Sequence, residues 1–232
     1  STTSFNDTFI SFKEIVPQEK NADIVPNSVQ HNVPAWTLFA IFFIMVPLSI
    51  NIVKEKNQGT YLRLISSPTS NNILYLGKII TYLVICLLQF YTILIIAKVV
   101  FPYMNLPELN LSFNKIALMS ALTLTAGLAA IGMAILLGIV SKTQEQSAPF
   151  GATFVIILAA VGGVWIPVFA MSQVMQVASN ASPMNWALNG YYDIILRNGS
   201  LIDIIPEMIL LTLFFVVFTT CALLYDKKKR TV

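Results

Sequence analysis

The chain has 232 residues, of which 56% are hydrophobic and only 11% charged, with a formal net charge of +3. Soluble globular domains carry about 25% charged residues, so a charge deficit of this size excludes an ordinary soluble enzyme, and the high hydrophobicity excludes intrinsic disorder. Cys86 and Cys221 both fall in apolar blocks and the single histidine, His31, has no Cys or His at ligand spacing, which excludes a disulfide framework and implies no metal site.

Residues 1–32 are polar, with short β-like runs at Thr8–Phe12 and Ile24–Val25, and no signal peptide is visible ahead of them. They read as the C-terminal remnant of an extracytoplasmic domain on a fragment or processed chain. Residues 33–232 read as a transmembrane domain. A bilayer core of about 30 Å takes about 20 apolar residues in a helix, and five stretches qualify: Val33–Val53, Ile73–Phe101, Phe113–Val140, Ala148–Met171 and Ile205–Tyr225. The expected fold is therefore all-α, a polytopic membrane protein with five spans.

Pro47 should kink the first span. In the second, Lys78 and Lys98 stand roughly 29 Å apart along a helix, so their ammonium groups reach opposite interfaces. The third carries a small-residue ladder, Ala126, Ala130, Ala134 and Gly138, which lets another helix approach closely. Between the fourth and fifth spans, Met184–Leu196 has an amphipathic helical pattern with aromatics suited to the headgroup zone.

Lys and Arg set the direction. Lys54, Lys56, Arg63, Lys78, Lys142 and Lys227–Arg230 fall on one side, against Lys13, Lys20, Lys98, Lys115 and Arg197 on the other. The C-terminus is therefore expected in the cytoplasm and the N-terminal segment outside.

The sequence holds no G-x-x-x-x-G-K-[ST], no G-x-S-x-G and no H-E-x-x-H, so neither phosphate binding by a P-loop nor a hydrolase is indicated. The spans carry almost no ionisable residue away from their ends, which argues against an autonomous proton- or ion-coupled carrier. No catalytic residue, bound cofactor or nucleic-acid partner is expected.

The most informative stretch joins the first two spans: Glu55, Gly59, Thr60, Tyr61, Leu62, Leu64, Ser66, Ser67, Pro68 and Ser70, followed by Leu76-Gly77-Lys78. Thr60 could N-cap a short helix bearing Leu62 and Leu64 and ended by Pro68. The stretch resembles the E-x-x-x-G-T-[LY]-x-x-L-x-[ST]-[ST]-P-x-[ST] and L-G-K motifs of ABC-2 type permeases, the membrane subunits of type V ABC exporters. Ser182-Pro183-Met184-Asn185-Trp186 and the residues after it resemble the external S-P-x-N-W motif of that family.

The resemblance covers nearly the whole chain from Pro34. It implies a six-span permease in which this chain lacks the first span. It makes the Glu55–Ser67 stretch a cytoplasmic coupling helix that docks on a separate ABC ATPase holding ATP and Mg. It also implies a second permease copy, in a homo- or heterodimer, in the cell (inner) membrane, and export of an apolar or lipid-like substrate. The alternative is a membrane scaffold for an ABC-driven surface or motility apparatus.

Overall fold

A computed structural model of the chain describes residues 26–58, 71–104, 106–107, 109 and 111–230. The described residues are helical, with no strand among them.

Helix α1, Ser28–Phe43, begins ahead of the expected start at Val33 because Asn27 and Gln30 form a capping box. Asn27 Oδ1 accepts from Gln30 N at 2.8 Å and Gln30 Oε1 from Asn27 N at 3.0 Å, satisfying two donors that a helix N-terminus otherwise leaves open. The chain breaks at Ile44 and resumes as α2, Met45–Asn57. Pro47 has no N–H to give the Phe43 carbonyl and its ring crowds that oxygen; Ile44 N turns instead to Ile41 O at 3.2 Å. The kink expected from Pro47 thus lies about one turn ahead of the proline.

Helix α3 spans Asn71–Val99 and is followed by a 3₁₀ turn at Phe101–Met104. Ser112 caps α4, Phe113–Val140, and Thr143 caps α5, Gln144–Val161.

The helix in the fourth apolar stretch does not run to Met171 as expected. Gly162 N bonds Leu158 O at 2.7 Å, Gly163 adopts φ +87°, and Val164 N reaches back to Ala159 O at 3.1 Å. This is the Schellman stop that a left-handed glycine permits. A 3₁₀ turn at Val168–Ala170, α6 at Gln173–Ser179, α7 at Pro183–Ile195 and α8 at Leu201–Arg230 complete the order.

Among the described residues, four segments are long and apolar enough to cross a membrane: Ser28–Asn57 (α1 with α2), Ile73–Val99, Phe113–Val140 and Leu201–Lys228. Helix α5 opens on Gln144-Glu145-Gln146-Ser147 and is not among them. It nevertheless runs between the two ends of the bundle, from the turn at Lys142 to a contact between Gly162 and Ser182.

Helix α4 occupies the centre, and three of its glycines each admit a different neighbour. A Cβ on Gly127 would meet Cys86 Sγ of α3 at 3.0 Å, one on Gly132 the Phe215 backbone oxygen of α8 at 3.1 Å, and one on Gly138 the Ile52 Cβ of α2 at 2.8 Å. Ala126, Ala130 and Ala134 are fully buried, so the small-residue ladder lies inside the chain and serves backbone approach there. Helices α3 and α8, by contrast, leave many large apolar side chains exposed, as surfaces facing acyl chains or another helix do.

Helix α7 is not a surface helix. Met184, Ala187, Leu188, Tyr191 and Ile194 are buried in the core, and a Cβ on Gly190 would lie 2.8 Å from Leu122 Cδ2 of α4. The amphipathic pattern marked a helix correctly. Its apolar face meets α4, α8 and α1 rather than the headgroup zone.

Candidate functional site

The last turn of α2 is a polar hub joining four helices at the end of the bundle where the basic residues gather. Helices α2 and α3 are antiparallel and tied at two levels one turn apart. Asn51 Nδ2 donates to Tyr82 Oη at 2.6 Å, and Lys78 Nζ donates to both oxygens of Glu55 at 2.5 Å. Lys56 Nζ donates to Ile139 O at 3.3 Å and stands 3.9 Å from Asp226 Oδ1 of α8. Ile139 sits in the final turn of α4, whose carbonyls have no intrahelical donor and carry the negative end of the helix dipole. An ammonium group there meets both needs. Asn57 Nδ2 adds a bond to Lys142 O at 3.2 Å, and Lys142 N is held by Gln146 Oε1 at 3.0 Å.

The arrangement ties together the two chain ends that flank residues 59–70. Glu55, the one residue of the E-x-x-x-G-T stretch within the described part, is paired with Lys78 of the L-G-K stretch across 23 residues of sequence. Gly59, Thr60, Tyr61, Leu62, Leu64, Ser66 and Pro68 lie outside the described residues. Among the described residues no group of His, Cys, Asp or Glu could hold a metal ion. The hub's chemistry is that of a mechanical tie: its carboxylates face ammonium groups and its amides face hydroxyl or carbonyl oxygens.

At the opposite end the S-P-x-N-W residues close the helix-stop of α5. Ser182 Oγ donates to Leu158 O at 3.4 Å, and a Cβ on Gly162 would fall 2.8 Å from both Ser182 Oγ and Met184 Cβ. Pro183 takes the first position of α7, where its missing N–H costs nothing. Trp186 Nε1 donates to Asn180 O at 2.7 Å, and its ring meets Phe214 edge-on at 6.1 Å. Asn185 is buried, and its Oδ1 has no hydrogen-bond partner among the described residues.

Three residues that were not singled out as site residues complete this end. His31 Nε2 lies 3.2 Å from Val164 O, and Nδ1 lies 2.5 Å from Tyr192 Oη. A carbonyl can only accept, so Nε2 carries the proton and Tyr192 donates to Nδ1. Tyr191 Oη pairs with Thr123 Oγ1 at 2.7 Å, deep against α4. Burial pushes the Tyr192 phenol up to about 12 and raises Tyr191 as well, so both are neutral donors at ordinary pH. In the sequence His31 was weighed only as a metal ligand, and nothing local pairs it with a tyrosine 161 residues away.

Residues 2–224 match the family described as ABC-2 family transporter protein. The linearmycin resistance permease protein LnrN of Bacillus subtilis (strain 168) is 24% identical over 170 residues, covering 72% of this chain and 42% of its own length. The chain thus spans about two fifths of the length of that curated relative. With a match over nearly its whole length, and with apolar helices able to cross a membrane, the chain belongs to the ABC-2 family of transporter proteins.

Proposed function

We propose that the chain is the membrane permease subunit of an ABC exporter, with no catalytic residue of its own, driven by a separate ATPase subunit that holds ATP and Mg. The observation that carries this reading is the hub at the end of α2. It grips both flanks of residues 59–70 and connects them to α3, α4 and α8 through Lys78, Ile139 and Asp226. A coupling element needs that mechanical context, because displacement at a docking segment reaches the spans only through rigid contacts. Residues 59–70 are the segment assigned to dock on the ATPase.

The basic end of the bundle faces the cytoplasm on this reading, following the distribution of Lys and Arg. The chain ahead of α1 then lies on the outside. Helix α5 serves as the crossing that brings the number of spans to five. The exposed apolar faces of α3 and α8 suit the bilayer of the cell membrane and a second permease copy. An apolar or lipid-like substrate matches their chemistry. Outward movement is supported by the relative named as a resistance permease, since a permease confers resistance by removing a compound from the cell.

The test is reconstitution of the tagged chain with its ATPase partner in proteoliposomes. The reading expects the two subunits to purify together and lipophilic compounds to stimulate ATP hydrolysis. A chain that carries no nucleotide-hydrolysing partner, or that conducts solutes without nucleotide, overturns it. Stable ATPase binding without stimulation by any transported compound favours a scaffold role.

A further inference from the structure

We propose that the chain holds an anionic phospholipid in a cavity between α3 and the start of α4, at the end opposite the hub. The cavity measures about 350 Å³, within the roughly 300–1,000 Å³ range of ligand pockets. Leu94, Ile95, Leu111, Phe113 and Ile116 form apolar walls, and Lys98 is the one charged side chain among the described lining residues. Phe113 and Ile95 are 83% and 62% exposed, so the walls open toward the surroundings of a membrane-spanning helix rather than into the core. The hydroxyls nearby are already satisfied. Tyr91 Oη and Ser120 Oγ are 2.8 Å apart, and Ser120 Oγ donates to Ile116 O at 2.7 Å. An acyl chain entering the cavity therefore strands no polar group.

The charge at the mouth decides the headgroup. Two lysines flank α3. Lys78 is neutralised by Glu55, whereas Lys98 makes no ion pair among the described residues. It stands one turn beyond Leu94 and Ile95 on the same helix and borders the cavity with them, and an interfacial lysine in such a place meets lipid phosphates. A zwitterionic headgroup carries a compensating cation and gains less from this position. The occupant is thus an anionic lipid from the bilayer, its tail in the cavity and its phosphate on Lys98. The site is separate from the hub, and its test requires no transport.

Native mass spectrometry of the purified chain with dioleoylphosphatidylglycerol and dioleoylphosphatidylcholine reads the proposal out directly. Wild-type protein should retain the phosphatidylglycerol about fivefold better, the factor one lysine near an anionic surface supplies. Lys98→Gln should bring the two lipids to parity, and Lys98→Glu should favour phosphatidylcholine. Ile95→Trp, which fills the cavity from an exposed position, should lower retention of both lipids and leave their ratio unchanged. Excess inorganic phosphate should leave the phosphatidylglycerol in place. Equal retention of both lipids by wild type, an unchanged preference in Lys98→Gln, or displacement of the lipid by phosphate alone would overturn the assignment.

Discussion

Two glycines in neighbouring helices make opposite predictions. A Cβ at Gly138 lands 2.8 Å from Ile52 Cβ, while one at Gly77 meets nothing within 4 Å. Gly138→Ala should therefore cost about 1–3 kcal/mol by forcing α2 and α4 apart. Gly77→Ala should be neutral or stabilise by up to about 1 kcal/mol, because it removes backbone freedom from the unfolded chain. Melting midpoints in detergent check the pair, and the same midpoint for both variants contradicts the α2–α4 contact. Tyr192 yields a pH prediction. Its phenol is raised from 10.0 to about 12 by burial, so above pH 10 the unfolded chain releases the proton more readily than the folded one. Its contribution to stability is fully present below pH 10 and falls as pH rises toward about 12. Tyr192→Phe should flatten that alkaline slope. It should also cost about 1–3 kcal/mol at neutral pH by leaving His31 Nδ1 unpaired. These pairings were not legible in the sequence, since a hydrogen bond across 161 residues leaves no local trace.

At the scale of elements, the punctuation carried most of the information. Pro47 announced a discontinuity in the first span, and the structure places it at Ile44, just after the Phe43 carbonyl that the proline leaves without a donor. Pro47→Ala restores a donor for Phe43 O and should merge α1 and α2 into one helix. Spin-label distances between positions 32 and 57 should lengthen in the variant; an unchanged distance would mean that packing, not the proline, sets the break. The stop at Gly162-Gly163 is hidden in the sequence because the apolar run continues past it to Met171, and hydropathy does not register a left-handed glycine. Gly163→Ala combines φ +87° with a Cβ 2.7 Å from Val168 Cγ2, so it should destabilise by at least about 1–2 kcal/mol. Helix α7 shows the opposite failure. Its period was evident, but period alone cannot say whether an apolar face meets lipid or protein.

Across the whole molecule, the scarcity of charge pointed to a membrane protein, and the placement of the few Lys and Arg to its direction; in the structure some of those charges also tie helices together. Glu55, Lys56, Lys78 and Asp226 belong to three helices, and the hub that they form was invisible as a unit, although Glu55 and Lys78 both stood in the family motifs. The Glu55–Lys78 pair is partly solvated, so by itself it contributes little to stability. Its role on this account is to hold the flanks of residues 59–70 in register. Exchanging the two charges, Glu55→Lys with Lys78→Glu, should therefore restore coupling lost in either single variant.

The most direct measurement is ATP hydrolysis by the reconstituted permease–ATPase complex, with Gly59 or Leu64 substituted in the docking segment and membrane insertion verified. The account predicts that these variants insert normally but release the ATPase or hydrolyse ATP without transport. Wild-type ATPase binding and wild-type transport in both variants would contradict it.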